Sequence, residues 1–267
     1  MLTYPNIDPI LVSFGPFAIR WYGLAYIAGL TVPFLIFKKT FRQQLKCSAD
    51  DCLNFITYLA LGIILGGRIG YMLFYNMTSL LADPLTMFAV WQGGMSYHGG
   101  IFGAMVATVL FAKNNKKSVF GCLDIVSLGS TIGIGLGRLS NFINGELYGR
   151  VTTSAFGMVF PTGGPLPRHP SQLYEAFFEG LVIFVILWAV RKYLVPKPLF
   201  IGGLYLILYS SFRFVIEFFR QPDEHIGFLL FNLSMGQLLC LVELIIGVVV
   251  LMWVIKHNDT IFDRQLN

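Results

Sequence analysis

The sequence predicts an all-α membrane protein that crosses the bilayer about seven times. Of its 267 residues, 55% are hydrophobic and only 12% are charged, whereas soluble domains carry roughly 25% charged residues. Apolar runs recur along the chain at lengths near the ~20 residues that a helix needs to cross a hydrocarbon core. The chain shows no linker between soluble parts, so we expect one integral membrane domain over residues 1–267.

Seven apolar runs supply the predicted spans. The first run has no charged residue and is the clearest span, whereas most of the others contain one or two ionisable residues. In order, the runs cover residues 21–37, 53–77, 91–112, 123–138, 172–190, 199–220 and 233–255. Between the fourth and fifth runs, residues 141–170 are rich in glycine and proline. Loops of this length are usually functional or disordered.

The positions of lysine and arginine predict the topology. All nine lysines follow the first, third, fifth or seventh run, and cytoplasmic segments carry an excess of Lys and Arg. With an odd number of spans, this pattern puts the amino terminus and the 141–170 loop outside and the carboxyl terminus in the cytoplasm. The net charge of +5 reflects this bias, because the basic residues form no continuous face for nucleic acid.

Ionisable residues inside the spans are the main indication of function, because each charge costs at least ~2.5 kcal/mol at the centre of a spanning helix. At ~1.5 Å per residue, four of them lie roughly 18–22 Å from the cytoplasmic ends of their spans: Arg68, His98, Arg213 and Glu243. This depth is in the outer half of the bilayer. Arginine can hold phosphate or carboxylate through two parallel hydrogen bonds, so the pattern predicts an anion site there.

The sixth run carries its polar residues on one helical stripe, at spacings of four, four and three: Tyr209, Arg213, Glu217 and Arg220. This stripe should face the protein interior. It is either part of an anion site or a structural seam in which Glu217 neutralises both arginines locally. Arg68 is better explained as a structural partner of Glu243 or Glu179.

Residues 137–149, GRLSNFINGELYG, form the densest polar group of the chain. Arg138 and Asn141 lie three residues apart at the end of a glycine-rich run, and Asn144 and Glu146 follow. Asparagine and glycine are also common turn formers, but an arginine and a glutamate at membrane depth favour a functional site.

Two histidine segments belong to the same outer surface. His98 in SYHGG is flanked by glycines that would let a substrate approach, although a lone histidine is often a satisfied core donor. The segment HPSQLYE begins at His169 and presents polar side chains, with Pro170 suited to a first helical turn. His98 is the stronger catalytic candidate.

These motifs resemble those of the bacterial prolipoprotein diacylglyceryl transferase family. The resemblance covers essentially the whole chain and rests on WYGLAY from Trp21, HGG from His98, GRLSNFINGELYG from Gly137, HPSQLYE from His169 and YSSFRFVIEFFRQPD from Tyr209. Ser140 departs from the glycine or alanine that is usual in the family. The resemblance implies transfer of the diacylglyceryl group from phosphatidylglycerol to the lipobox cysteine of a prolipoprotein signal peptide, releasing glycerol phosphate.

The resemblance also implies residue roles. The catalytic residues would be His98 as base for the thiol, with Arg138 and Arg213 holding the lipid phosphate. The head-group site would include Arg138 and the following residues: Tyr22, Asn141, Glu146, Gly149 and Tyr209. Glu217 and Arg220 would orient Arg213. No cofactor and no metal are expected, and the enzyme would lie in the bacterial inner membrane with its active site toward the outer leaflet.

A different class of protein would share some of these features. An anion or phospholipid transporter or binding protein would also place arginines at membrane depth. Transporters commonly show internal repeats and a site at the midplane. The sequence shows no repeat, and its polar residues stop in one leaflet, so a transferase is favoured.

Overall fold

The computed structural model describes residues 2–15, 17–90, 93–193, 197–221 and 233–257. The described chain is mostly helical. Its α-helices are α1 Trp21–Gln44, α2 Ala49–Tyr75, α3 Met77–Ala82, α4 Tyr97–Asn114, α5 Val119–Ile143, α6 Ser171–Glu175, α7 Ile183–Val190, α8 Phe200–Ile216 and α9 Met235–Lys256. A π-helical segment, Ala176–Val182, joins α6 to α7, and 3₁₀ turns cover Pro84–Phe88 and Arg191–Tyr193.

Among the described residues, four helices are long and apolar enough to cross a membrane: Ala49–Tyr75, Val119–Ile143, Ser171–Tyr193 and Met235–Lys256. Two shorter apolar helices, Trp21–Leu35 and Phe200–Ile216, accompany them. The prediction of a helical membrane protein is confirmed. The helices extend beyond several of the predicted runs because capping groups outside the apolar core continue them, as Ser48 does for α2 through a capping box with Asp51.

A β-hairpin precedes α1, and the sequence analysis did not predict it. Strands β1 (Ile10–Phe14) and β2 (Phe17–Arg20) pair antiparallel, with Ile10 opposite Arg20. Gly15, with a φ of 58°, provides the left-handed residue that a tight hairpin connection favours. Among the residues that the structure describes, the regular structure is therefore helical apart from this short sheet and isolated bridges.

The chain divides into two compact units. The first contains Met1–Pro33 and Asp124–Asn267, and the second contains Phe34–Leu123. The divisions fall within α1 and within α5. The single domain expected from the sequence stays a prediction.

The second unit is built on close contact between α2 and α4. Glycines at four-residue spacing on α2 face glycines on α4. A Cβ at Gly66 would lie 2.4 Å from the carbonyl oxygen of Gly99, and one at Gly103 would lie 2.0 Å from that of Gly62. Such small-residue faces are typical of packed membrane helices, because they allow the backbones to approach.

In the first unit, glycines and one buried carboxylate set the helix packing. A Cβ at Gly180 would lie 2.7 Å from the Cα of Gly135, so α5 touches the π-helical segment directly. Asp124 on α5 accepts hydrogen bonds from the backbone N–H groups of Leu199 (2.8 Å) and Gly202 (2.7 Å) at the start of α8. The carboxylate satisfies amides that the helix cannot pair internally.

Residues 144–170 form an ordered cap on the first unit. Phe142, Met158 and Phe160 make a small buried core, against which Tyr4 and Tyr148 pack. The Tyr4 hydroxyl donates to the carbonyl oxygen of Phe142 at 2.7 Å, and burial raises the pKa of this phenol above its ordinary value. The amino-terminal segment and the long loop therefore stabilise each other.

Candidate functional site

Glu175, at the end of α6, bridges three arginines. Its Oε2 atom lies 2.6 Å from Nε of Arg138, and its Oε1 atom lies 3.0 Å from Nη1 of Arg213. Nε of Arg220 lies 3.7 Å from the same Oε1 atom. The Glu175 side chain is fully buried, so one carboxylate in a low-dielectric interior gathers guanidinium groups from α5, α8 and the turn after α8.

Two more carboxylates complete this site. Nη2 of Arg213 lies 2.9 Å from Oε2 of Glu217, and Nη1 lies 3.7 Å from Oε1 of Glu179. Nη1 of Arg220 lies 3.7 Å from Glu217 Oε2. We call these six residues the ion-pair cluster: Arg138, Arg213, Arg220, Glu175, Glu179 and Glu217. Its formal charges balance, with three positive and three negative side chains.

Local sequence explains part of this arrangement. Glu217 contacts Arg213 and Arg220 as i,i+4 and i,i+3 neighbours, which confirms the local ion pairs expected from the stripe. Glu175 and Glu179 are four residues apart, and the backbone between them enters the π-helical segment Ala176–Val182. Such segments are rare and often occur at functional sites.

The central place of Glu175 was not predicted. The sequence predicts Glu175 on the outer surface and Glu179 as a possible partner of Arg68. Two glutamates in one apolar run were the available signal, because each is costly in a membrane and requires a partner. Which arginines would meet them depends on how α5 and α8 pack.

The amino-terminal end of α9 contacts the carboxylate of Glu217. Ser234, the N-cap residue of α9, donates its hydroxyl to Oε1 of Glu217 at 2.9 Å and accepts from the backbone N–H of Gln237 at 3.2 Å. A Cβ at Gly236 would lie 3.0 Å from the same Oε1 atom. The positive end of the helix dipole stabilises a carboxylate in this position. Glu217 is thus fixed on one side by α9 and on the other by Arg213.

A second polar network adjoins Arg138. The amide Nδ2 groups of Asn141 and Asn144 donate to Oε1 of Glu146 at 2.9 and 3.1 Å, and Gln172 Nε2 donates to the Glu146 carbonyl oxygen at 2.6 Å. Nη1 of Arg138 donates to Oδ1 of Asn141 at 3.5 Å. The structure therefore brings Asn141 and Glu146 together beside the ion-pair cluster.

Gly149 joins three backbone segments. Its N–H donates to the carbonyl oxygen of His169 at 2.8 Å, and it forms an antiparallel bridge with Arg220. A Cβ would lie 2.3 Å from the Phe219 carbonyl oxygen and 2.8 Å from the His169 Cβ. Any other residue here would force these segments apart.

The bridge between Gly149 and Arg220 shows that the predicted sixth span was too long. The predicted helix continues to residue 220, but α8 ends at Ile216. The chain then turns, because Arg150 donates from its backbone N–H to Phe219 O at 2.8 Å and from Nε to Arg220 O at 2.8 Å. The Arg220 side chain nevertheless returns to the cluster.

The predicted tyrosines have aromatic neighbours. Tyr209 stacks on Tyr205, with ring centroids 5.7 Å apart, and lies within electrostatic range of both Arg138 and Arg213. Tyr22 lies on α1, with its ring centroid 5.2 Å from that of Tyr26. Tyr209 therefore lies near the ion-pair cluster, and the head-group roles of Tyr209 and Tyr22 stay predictions.

His98 lies in the other compact unit, Phe34–Leu123. It is exposed in the first turn of α4, where Ser96 Oγ accepts from the Gly99 N–H at 3.2 Å. The role of His98 as a base stays a prediction. His169, in the first unit, contacts Tyr174 OH through Nδ1 at 3.2 Å, and burial lowers its pKa.

Arg68 differs from the sequence-based expectation of a carboxylate partner. Its guanidinium donates to the backbone carbonyls of Gly93, Gly94 and Thr86, the last at 2.7 Å from Nη2. The cation also lies 5.8 Å from the ring centroid of Tyr71. In the described part of its unit, Arg68 therefore ties α2 to the segment that follows α3.

Ser140 occupies a position where the family that this sequence resembles usually has glycine or alanine. Its hydroxyl donates to the Leu136 carbonyl oxygen at 3.1 Å, and the residue is buried. A hydroxyl that bonds within its own helix adds no unsatisfied polar group. Ser140 therefore fits at this position without leaving a buried hydroxyl unpaired.

Fold and site together define a class: a helical membrane protein with a buried arginine–carboxylate cluster. Comparison with known proteins gives the family. Residues 9–253 match the family model of prolipoprotein diacylglyceryl transferase. The chain therefore belongs to the prolipoprotein diacylglyceryl transferase family, and it is an enzyme of the transferase class.

Relatives of similar length bear the name phosphatidylglycerol–prolipoprotein diacylglyceryl transferase. One from Photobacterium profundum is 47% identical over 96% of this chain and 96% of its own length. Another from Oleidesulfovibrio alaskensis is 45% identical over 97% of each chain. A third, from Coxiella burnetii, is 45% identical over 97% of this chain and 100% of its own.

Proposed function

We propose that this protein transfers the diacylglyceryl group of phosphatidylglycerol to the cysteine thiol of the lipobox in prolipoprotein signal peptides, in the bacterial inner membrane. The thiolate sulfur forms a bond to the glyceryl carbon, and the bond between that carbon and the phosphate oxygen breaks. Glycerol phosphate leaves with the electron pair. Family membership and the names of the relatives support this reaction.

The observation that carries the mechanism is the meeting of Arg138 and Arg213 on Glu175. A carboxylate and a phosphodiester both offer oxygen acceptors that a guanidinium binds through charge-assisted hydrogen bonds. Arginines that already converge on one anionic group can receive the lipid phosphate with little rearrangement. As the carbon–oxygen bond breaks, they would stabilise the negative charge that develops on the leaving phosphate.

The neighbouring groups would position these arginines and the lipid head group. Glu217 contacts Arg213 at 2.9 Å and is held by Ser234, which supports an orienting role for Glu217 together with Arg220. The Asn141–Glu146 network lies beside Arg138 and would shape the head-group site with Gly149, Tyr209 and Tyr22. His98 would accept the thiol proton.

We also propose seven spans, with the amino terminus outside and the carboxyl terminus in the cytoplasm, and the site toward the outer leaflet. The distribution of the nine lysines supports this topology. All four native cysteines are buried. A membrane-impermeant maleimide added to intact spheroplasts should therefore label Thr153→Cys but not Lys113→Cys. The reverse labelling would contradict the topology.

Purified full-length protein, phosphatidylglycerol and a lipobox peptide provide the test of activity. We expect release of glycerol phosphate and a peptide whose mass has increased by one diacylglyceryl group. A peptide with serine in place of the lipobox cysteine should give neither product. A transporter or a lipid-binding protein would bind phosphatidylglycerol without releasing glycerol phosphate.

The same assay compares the contributions of Arg213 and His98 to turnover. Arg213→Ala should reduce turnover by at least ~100-fold, the typical effect of removing a group that stabilises transition-state charge. His98→Ala should cost no more than about thirtyfold at pH 7, because a thiol with a pKa near ~8.5 is already a few per cent ionised. Wild-type turnover by folded, membrane-inserted Arg213→Ala would refute the mechanism.

A further inference from the structure

Glu179 is the least satisfied carboxylate of the ion-pair cluster. Its side chain is fully buried, and neither carboxylate oxygen has a hydrogen-bond partner among the described residues. In the described part of the chain, its one ion pair is with Nη1 of Arg213, at 3.7 Å. An ionised carboxylate in such a place is costly unless a cation compensates for it.

The other two carboxylates are held more firmly. Glu175 lies 2.6 Å from Arg138 and 3.0 Å from Arg213. Glu217 lies 2.9 Å from Arg213 and accepts a hydrogen bond from Ser234 at 2.9 Å. Protonating either would forfeit short charge-assisted contacts, whereas protonating Glu179 would weaken only its longer ion pair.

Binding of an anionic phospholipid would disturb the charge balance. The cluster itself has three positive and three negative side chains, so a phosphodiester would add one uncompensated negative charge in a buried site. Such a charge is expensive in a low-dielectric interior. The compensation that loses the fewest favourable contacts is one proton on the carboxylate that has the fewest contacts.

We propose that Glu179 takes up one proton when the phosphate of phosphatidylglycerol enters the ion-pair cluster, and that this proton keeps the occupied site neutral. This inference rests on the proposed function. One proton moves from solvent to a carboxylate oxygen of Glu179, no other covalent bond changes, and Glu179 becomes a hydrogen-bond donor. Glu179 is thus a positioning residue that couples lipid binding to pH.

The charged and titratable groups near Glu179 come from several elements. They are Arg138 on α5, Glu175 on α6, Tyr209 and Arg213 on α8, Glu217 and Arg220 after α8, and Cys240 and Glu243 on α9. The arginines stay protonated at all accessible pH values. Tyrosine and cysteine are already neutral near pH 7, so among these groups only the glutamates can accept the proton.

Isothermal titration calorimetry tests the coupling directly. Phosphatidylglycerol would be titrated into the full-length protein, at constant pH, in two buffers with different ionisation enthalpies. For wild-type protein we expect uptake of about one proton per lipid, and an affinity that falls roughly tenfold for each unit rise in pH. Glu179→Gln should bind the lipid without proton uptake and with nearly pH-independent affinity.

Two further variants complete the design. Glu179→Asp keeps an ionisable carboxyl group and should keep the proton uptake. Glu243→Gln removes the neighbouring glutamate on α9 and should retain the proton uptake, which would exclude Glu243 as the acceptor. Equal proton uptake by wild type and Glu179→Gln, or none by wild type, would overturn the inference.

Infrared difference spectroscopy supplies a measurement that needs no variant. Adding phosphatidylglycerol to wild-type protein should produce a carboxylic acid carbonyl stretch that shifts in D2O, unlike the ester carbonyl stretches of the lipid. Lipid binding without this band would contradict the role of Glu179 and leave the transferase proposal intact. Absence of lipid binding by wild-type protein would contradict the proposed function itself.

Discussion

Arg213 on α8 and Arg68 on α2 are both buried arginines within apolar helices, with exposed fractions of 9% and 3%, but their guanidinium groups have different partners. Arg213 contacts the carboxylates of Glu175, Glu179 and Glu217. Arg68 donates to backbone carbonyls, including that of Thr86. The same residue type, in the same kind of helix, is therefore used in two ways.

The partners determine what each arginine can do. A carbonyl of the backbone is a fixed part of the fold, so an arginine bound to it acts as a structural clamp. A carboxylate side chain can rotate away, and an anionic ligand can take its place or share its cation. The contrast identifies Arg213, and not Arg68, as the candidate for lipid phosphate.

The largest expected effect separates the two arginines by activity. Arg213→Lys keeps the charge but loses the planar fork that reaches Glu175 and Glu217 together, so turnover should fall about 100-fold. Arg68→Lys should leave the turnover of the folded protein within a few-fold of wild type. Glycerol phosphate release from folded, monodisperse protein measures both. Equal losses in the two variants would remove the distinction.

The second prediction concerns stability. Arg68→Met leaves carbonyls that have lost a charged donor, which should lower the free energy of unfolding by on the order of 3 kcal/mol. Arg20→Met, at an exposed arginine, should change it by less than about 0.5 kcal/mol. Unfolding titrations in mild detergent would compare them. An unchanged free energy of unfolding in Arg68→Met would show that these hydrogen bonds contribute little to stability.

The third prediction concerns the backbone junction at Gly149. Gly149→Ala places a methyl group 2.3 Å from the Phe219 carbonyl oxygen and should lower the free energy of unfolding by about 1–3 kcal/mol. Because Arg220 pairs with Gly149, activity should also fall. Gly137→Ala is the matched control, since no atom beyond its chain neighbours and the nearby backbone of its own helix lies within 4 Å of the added Cβ. Full activity and stability of Gly149→Ala would contradict the packing argument.

The smallest expected effect concerns Ser234, through which α9 holds Glu217 against Arg213. Ser234→Ala removes an N-cap and the hydroxyl that donates to Glu217, and should cost about 1 kcal/mol of stability with a few-fold loss of turnover. Ser211→Ala, at an exposed hydroxyl that donates to the Ile207 carbonyl, is the control. Matching kinetics for the two variants would argue against support of Arg213 through Glu217.

The apolar runs predicted the long helices because burial in lipid requires both an apolar surface and internally paired backbone groups. The spacing of Arg213, Glu217 and Arg220 predicted their local ion pairs for an equally local reason. The end of α8 was predicted wrongly, at residue 220, because the backbone bridge between Gly149 and Arg220 is a contact between distant parts of the chain. The hairpin before α1 was also missed, although Gly15 offered a turn signal.

By itself, the sequence determined that this is a helical membrane protein of the prolipoprotein diacylglyceryl transferase family, and which arginines are costly enough to require partners. Hydropathy, spacing and motifs are properties of neighbouring residues, so the linear chain contains them. Only the tertiary structure decided that Glu175 joins Arg138 and Arg213, which are 37 residues before and 38 residues after it. That contact depends on the close approach of α5 at Gly135 to the helix that carries Glu175, because ion pairs between helices form only where packing brings the side chains within reach.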